Sequence, residues 1–279
     1  MFQAFLILFI SILSVTMLYP FLHVTSISLS TPTEALRQGF HFYPKEITFN
    51  AWERVLQSNT VWMTMGNTVF RTVVGTVLTI IFLSIGAYPL SKKYLPHRNA
   101  FMMIIIVTMF FGGGLIPTYM LIKGLGLINS MWVYVVPGLV STFSLIVLRN
   151  FFMSIPEELE DSAKMDGANE FRVLFSIIIP LSKPVLATLA LWSAVGHWNA
   201  WFDSMLYIQD QSKIVLQLFL RRLVIANEGD PMLPVPSIEQ TPETVKAAII
   251  IFTALPILVV YPFLQRYFVK GVMIGSLKG

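Results

Sequence analysis

The segment that decides how this chain is built runs from Ser154 to Pro184 and reads SIPEELEDSAKMDGANEFRVLFSIIIPLSKP. It is charged and contains many small residues, yet it lies between two long apolar stretches. A loop that only joined two membrane helices would need none of the helix-start and helix-stop signals that occur here in series. The pattern indicates a structured surface at the aqueous edge of a membrane, shaped for another protein to bind.

The rest of the chain has the composition of a membrane protein. Of its 279 residues, 55% are hydrophobic and 12% are charged, and the mean hydropathy is +0.71. Soluble domains carry about 25% charged residues, and a helix needs roughly 20 apolar residues to cross a bilayer. The sequence predicts six spans, at Phe2–Leu29, Trp62–Leu90, Ala100–Ile122, Trp132–Phe152, Leu181–Ile208 and Val245–Phe268.

Composition also excludes several kinds of site. The absence of cysteine removes disulfides, thiolate metal sites and cysteine nucleophiles. A net charge of +4 gives no reason to expect nucleic acid as a partner. The first span has no basic residues before it and is long for the core of a signal peptide, so we expect a retained helix.

Basic residues in short loops predict the orientation, because they mark the cytoplasmic side. They lie after the second span, at Lys92, Lys93 and Arg98, and at the end of the sixth span or after it, at Arg266, Lys270 and Lys278. With six spans, both termini and the Ser154–Pro184 segment are then cytoplasmic. The outer segments are Ser30–Val61, Lys123–Met131 and Gln209–Thr244.

Within the segment, the residues predict a helix–glycine–helix hairpin. Ser154 and Glu157 have the spacing of a capping box, and Gly167 suits the left-handed position that ends a helix. A second helix is expected at about 169–178, stopped by Pro180. It would place Phe171, Leu174 and Phe175 on one face, which a partner's groove or the chain's own spans could cover.

The same segment resembles the EAA loop of ABC importer membrane subunits, in which Glu-Ala-Ala and Asp-Gly-Ala precede spaced Phe, Ile and Pro. Here the positions read Asp161-Ser162-Ala163, Asp166-Gly167-Ala168, Phe171, Phe175, Ile178, Pro180 and Pro184. Asp161 and Ser162 depart from the pattern but keep its charge and size. The resemblance implies that the residues coupling to an ATPase are Glu158, Asp161, Ala163, Asp166, Gly167, Ala168, Phe171, Phe175 and Pro180.

Three other stretches, Phe110–Gly138, Gly196–Ile208 and Tyr261–Gly279, are similar to carbohydrate-importer permeases of the maltose-importer type. The similarity is to the second, six-span subunit, and within that type to permeases for alginate or pectin fragments. It implies an all-α integral membrane protein with an ABC type I importer permease core. The implied parts are a peripheral first helix (1–30), an external loop (31–61), a core (62–270) with coupling loop 154–184 and external loop 209–244, and a cytoplasmic tail (271–279).

The resemblance implies half of the translocation pathway of an ATP-driven sugar or oligosaccharide importer in a bacterial-type cell membrane. The implied partners are a second homologous permease, two ABC ATPase subunits, an extracytoplasmic solute-binding protein, the sugar and the lipid bilayer. In such proteins the tail contacts the ATPase interface and loop 209–244 reaches the binding protein. The chain has no phosphate-binding glycine loop with lysine, so ATP and Mg belong to the partners, and we expect no enzymatic activity, cofactor or metal here.

The fifth span carries groups suited to a sugar pathway, namely Trp198, Asn199, Trp201 and Asp203. Tryptophan near a span's end is also a common interface anchor, and the subunit could line the pathway without binding sugar. Arg71, in the second span, is expected to snorkel to the headgroups, with an acidic sugar or a partner's acid as the alternative contact.

A secondary transporter is the main alternative function. It would couple through intramembrane acids, but the predicted spans contain only Asp203, near one end. The histidines show no metal-ligand spacing. Glycine and proline breaks such as Gly112–Gly114 fit either ordinary kinks or the hinges of a pathway that opens and closes.

Overall fold

The computed structural model describes residues 2–37, 39, 41–225 and 242–276. Long and short α-helices make up most of this range. In chain order they are α1 (Phe2–Ser28), α2 (Pro32–Ala35), α3 (Asn50–Gln57), α4 (Asn59–Ser91), α5 (Arg98–Phe110), α6 (Leu115–Gly124), α7 (Thr142–Phe152), α8 (Glu158–Met165), α9 (Glu170–Val173), α10 (Ile179–Leu181), α11 (Lys183–Asn199), α12 (Phe202–Tyr207), α13 (Leu216–Ile225) and α14 (Pro242–Ser276). The other described helical segments are short 3₁₀ turns at Met131–Tyr134, Val136–Gly138 and Gln211–Lys213 and a π-turn at Leu174–Ile178.

Among the described residues, three stretches are long and apolar enough to cross a membrane as single helices: α1, α4 and Glu243–Val260 within α14. Three more pass only as bent pairs. The bends are 114° between α5 and α6, 51° between the segment Met131–Gly138 and α7, and 83° between Glu170–Leu181 and α11. Counting each pair as one span gives six, which agrees with the predicted all-α, six-span protein.

The sharpest bend lies at the glycine run. Gly112–Gly114 follow α5, and Gly114 has a φ of +79°, a conformation that side chains disfavour. The break between α10 and α11 has a different cause. Ser182 leaves helical geometry there, and Pro184 stands in the first turn of α11, where a proline's missing N–H is tolerated.

Two details of the predicted hairpin are wrong. Its first helix begins at Glu158 and has no capping box, because the Ser154 hydroxyl donates to the Phe151 carbonyl at 2.7 Å and Glu157 binds Lys93 instead. Pro180 does not stop the second helix, which continues to Leu181. The π-turn interrupts the regular helix just before Pro180, so the proline occupies a first-turn position in α10 and needs no N–H there.

The predicted turn at Gly167 is confirmed. Its φ is +80°, its N–H donates to the Lys164 carbonyl at 3.0 Å, and the Ala168 N–H donates to the Ala163 carbonyl at 3.0 Å. These two bonds form a Schellman motif, which satisfies carbonyl groups that the end of α8 would otherwise leave unpaired. We call Glu158–Leu181, from α8 to α10, the Gly167 hairpin.

The chain forms two compact units. One comprises the chain up to Met65 with the described part of Val215–Leu258, and the other comprises Gly66–Ile214 and α14 from Val259 onward. The second unit contains a core to which α4, α5, α7, the Gly167 hairpin and α11 contribute. Its buried members are Leu83, Ala87, Tyr88, Leu90, Met102, Leu145, Leu148, Phe152, Val173, Leu174, Ile178, Val185, Leu186 and Leu189.

Candidate functional sites

The inner face of the Gly167 hairpin belongs to this core. Val173, Leu174 and Ile178 are each at most 3% exposed. Leu174 therefore does not share a face with Phe171 and Phe175, as the spacing predicted, because the π-turn begins at Leu174 and changes the angle between successive side chains. The chain's own spans thus cover one apolar face of the hairpin and leave the other face open.

The outer face of the hairpin is apolar and acidic. Phe171 is 68% exposed, Phe175 48% and Met165 89%. The carboxylates of Glu158, Asp161 and Asp166 are on exposed residues of α8 and its cap. Ala163 and Ala168 pack partly against the core, and Gly167 and Pro180 are exposed. The predicted coupling residues therefore lie on one compact element, most of them at its surface.

Two polar contacts connect α8 to the loop after α4. Glu160, only 6% exposed, forms an ion pair with Lys92, whose ammonium group also lies 4.3 Å from the centre of the Tyr88 ring. Lys93 and Glu157 form a second pair at 2.8 Å, but both side chains are largely in solvent. The hydrogen bond from Lys93 holds the pKa of Glu157 below its usual range.

Glu170, at the start of α9, connects three other side chains. It accepts hydrogen bonds from the hydroxyls of Tyr88 at 2.7 Å and Tyr94 at 3.2 Å, and it pairs with Lys164 at 2.8 Å. The hydrogen bond to Glu170 raises the pKa of Lys164, so this lysine stays charged at neutral pH. Both helices of the hairpin are thereby connected to the end of α4.

The predicted pathway residues lie around the break between α11 and α12. Asn199, Trp201 and Asp203 line an open pocket of about 420 Å³ together with Gly196, Ala200 and Phe202. Trp198 is buried and does not line it. The Asn199 amide donates to the Val195 carbonyl at 2.9 Å, and the Trp201 ring meets Phe202 edge-on with centroids 5.5 Å apart.

Arg71 does not extend to the headgroups, and its counter-charge comes from this chain and not from a partner. It is 3% exposed and forms a two-pronged ion pair with Asp203. The same guanidinium donates to the Ala200 carbonyl at 3.0 Å and lies 4.8 Å from the centre of the Tyr134 ring. The prediction for Arg71 was wrong because the counter-charge, Asp203, is 132 residues away in the sequence and comes close only in the folded chain.

Comparison with known proteins decides the family. Residues 3–274 match the family of binding-protein-dependent transport system inner membrane components. The chain belongs to this family. It is an inner membrane permease component, and the predicted resemblance to carbohydrate-importer permeases is confirmed.

Individual relatives of this permease cover nearly its whole length. Protein LplC of Bacillus subtilis (strain 168) is 42% identical over 98% of this chain and 93% of its own. The polygalacturonan/rhamnogalacturonan transport system permease protein YtcP of the same organism is 38% identical over 93% and 92%. A chain in the crystal structure of a bacterial ABC transporter involved in the import of the acidic polysaccharide alginate superposes with a TM-score of 0.92 at 34% identity, covering 96% of both chains.

Sequence reasoning about the permease missed the residues that connect the two sites to α4. Glu160 and Glu170 look like any other acids of a solvated helix, and Tyr88, Tyr134 and Ser204 look like ordinary residues of a span or its flank. The one available signal was charge at membrane depth, which is costly and therefore paired. It pointed to Arg71 and Asp203 separately, and only the fold pairs them.

Proposed function

We propose that this permease is one of two homologous membrane subunits of an ATP-driven importer of sugars or oligosaccharides, and that the Gly167 hairpin couples it to the ATPase subunits. The carrying observation is the contrast between the hairpin's two faces. Val173, Leu174 and Ile178 are buried in the chain's own core, whereas Phe171 and Phe175 remain exposed. Exposed aromatic side chains on an aqueous-side helix suit a groove in a partner.

The hairpin's anchoring supports transmission of movement. A partner that displaces the outer face would move a rigid element, because Glu160 is paired with Lys92 and Glu170 with Tyr88 and Lys164. Those contacts pass the displacement to the end of α4, which continues through the second unit. For the cycle to be driven, ATP and the loaded binding protein must both favour the same state of the pathway.

The substrate class we favour is acidic oligosaccharides. The substrates for which relatives are named support it: polygalacturonan and rhamnogalacturonan for one, and alginate for the other. Asn199, Trp201 and Asp203 would line the route, as their shared open pocket allows. Asp203 is already paired with Arg71, so this pair leaves no free charge in the pocket. Recognition of sugar carboxylates would therefore need other groups of this chain or the partner subunits.

The orientation and the remaining contacts are part of the same proposal. Both termini and the Gly167 hairpin would face the cytoplasm, and the ATPase subunits would hold ATP and Mg. The functional division into a peripheral helix, an external loop, a core and a tail stays a prediction, with bounds at 1–30, 31–61, 62–270 and 271–279. Two stretches lie outside the described residues, namely 226–241 of loop 209–244 and 277–279 at the end of the tail, so their predicted contacts stay predictions too.

The test is made on the complex purified from native membranes and reconstituted with its binding protein. Replacing Phe171 and Phe175 together by serine should lower substrate-stimulated ATP hydrolysis by about tenfold or more, which corresponds to ~1.4 kcal/mol of lost docking. Phe101→Ser is the matched control, since Phe101 in α5 is 49% exposed, as Phe175 is 48%. Equal stimulation in both variants would contradict the coupling role.

A secondary transporter is distinguished in the same preparation. Uptake of a galacturonate trisaccharide into vesicles should require ATP inside and a binding protein outside. Uptake that persists without ATP and follows an ion gradient would overturn the importer proposal. Mass spectrometry of the purified complex should also find a second permease and an ATPase in stoichiometric amounts.

A further inference from the structure

The break between α11 and α12 is held by an arginine from another helix. α11 ends at Asn199, α12 begins at Phe202, and Ala200 has an extended backbone between them. The carbonyl groups at the end of a helix have no partner within it and need another donor. Here the Ala200 carbonyl accepts a hydrogen bond from Arg71 Nη1 at 3.0 Å.

The same guanidinium binds the far side of the break. Arg71 Nη1 donates to Asp203 Oδ1 at 3.0 Å, and Nη2 pairs with the other carboxylate oxygen. Its charge lies 4.8 Å from the Tyr134 ring, whose hydroxyl bonds Ser204 Oγ and the Lys213 carbonyl, each at 2.8 Å. α4, the 3₁₀ segment at Met131–Tyr134 and α12 therefore meet at this one side chain.

The near side of the break is held one turn further along α4. Gly75 follows Arg71 by four residues, so both lie on one face of the helix. A methyl group at position 75 would stand 2.5 Å from His197 Nε2 and 2.7 Å from Cε1. The His197 ring thus rests directly on the glycine backbone, and α4 contacts the chain on both sides of Ala200.

We infer that Arg71 is a positioning residue that fixes the α11–α12 break and thereby orients Asn199 and Trp201 toward the translocation pathway. That a translocation pathway lies here rests on the proposed function, whereas the geometry of the break does not depend on it. The role is geometric, since Asp203 neutralises the charge. Lysine could not replace arginine, because a single ammonium group lacks the planar fork that reaches a carboxylate and a carbonyl together.

The experiment uses the absence of cysteine in the chain. Asn199→Cys is introduced, and its labelling by a membrane-impermeant maleimide is timed in the whole complex in nanodiscs, where both faces are accessible. Adding Arg71→Lys should change the labelling rate by about fivefold or more, the effect of ~1 kcal/mol on the exposed conformation. Leu125→Cys, at a residue 60% exposed beyond α6, is the control and should label as before.

A second variant keeps the proposal falsifiable if Arg71→Lys does not assemble. Arg71→Met with Asp203→Leu removes both charges and leaves neither unpaired, yet it also removes the bond to Ala200. It should change Asn199→Cys labelling in the same direction. Unchanged labelling in an assembled variant overturns the positioning role, and failure of both variants to assemble would assign the pair to folding alone and overturn it too.

The outcome is separable from that of the proposed function. Labelling requires no sugar, so a changed rate supports the positioning role even if the wild-type complex takes up no galacturonate trisaccharide. If uptake does occur, the assembled Arg71→Lys complex should show a raised KM for the trisaccharide. A fall in maximal rate alone, with labelling unchanged, would indicate only lost stability and would contradict the inference.

Discussion

The Gly167 hairpin and the α11–α12 break are both irregular joints held by an ion pair, the first with Lys92 just after α4 and the second with Arg71 within α4. They differ in what they leave uncovered. At the break, Arg71 is buried and its hydrogen bonds and ion pair lie within the chain. At the hairpin, Glu160 is buried in the same way while Phe171 and Phe175 stay in the open. The polar contacts of the break thus come from its own chain, whereas the exposed aromatic face of the hairpin is the surface for which we propose a partner.

Removing one charge at the break should have the largest effect. Asp203→Leu leaves Arg71 buried without a counter-charge, and breaking a buried pair in this way costs about 3–5 kcal/mol. We expect a large fall in the yield and melting temperature of the complex. The double variant Arg71→Met with Asp203→Leu should recover most of that loss, and a single variant as stable as the double would show that the pair contributes little.

The corner of the hairpin should be nearly as sensitive. In Gly167→Val a β-branched side chain must adopt a φ of +80°, which strains the backbone by about 1–3 kcal/mol. Substrate-stimulated ATP hydrolysis should be lost while basal hydrolysis by the ATPase subunits continues. The control is Gly124→Val, where an added Cβ meets nothing within 4 Å and φ is not in the left-handed region. Normal stimulation in Gly167→Val would refute the role of the turn.

The buried pair of the hairpin should have an intermediate effect. Glu160→Gln leaves Lys92 with the Tyr88 ring but without a carboxylate, at a cost of about 1–3 kcal/mol. If the hairpin is a rigid connection, the ratio of ATP hydrolysed to sugar imported should rise, as measured in vesicles. Glu157→Gln, at the exposed neighbouring pair, serves as the comparison, and equal ratios in the two variants would show that Glu160 has no special part in coupling.

The exposed pair should have the smallest effect. The pKa of Glu157 is lowered by Lys93, so its attraction is present above the ordinary glutamate pKa of about 4.3 and is lost as the pH falls through the lower pKa of the folded protein. At neutral pH, Lys93→Gln should leave melting temperature and transport unchanged, because exposed pairs are screened by solvent. A clear loss in either measurement would mean that a partner buries this pair.

The two joints also show what a sequence can and cannot predict. The turn at Gly167 and the number of spans were predictable because their signals are local: a glycine after a helix, and apolar stretches of sufficient length. The direction of Leu174 was not, since a π-turn has no clear sequence signal. The partner of Arg71 was not either, because it lies in another helix and only the folded chain brings the two charges together.

The break at Gly112–Gly114 has a consequence for how the protein enters the membrane. α5 has 13 residues and α6 has 10, and each is shorter than the roughly 20 residues needed to cross a bilayer. During synthesis the insertion machinery would have to recognise Arg98–Gly124 as one hydrophobic unit. The 114° bend would then form once neighbouring helices can satisfy the freed backbone groups. One of these neighbours, α7, packs against α5 and is made after it.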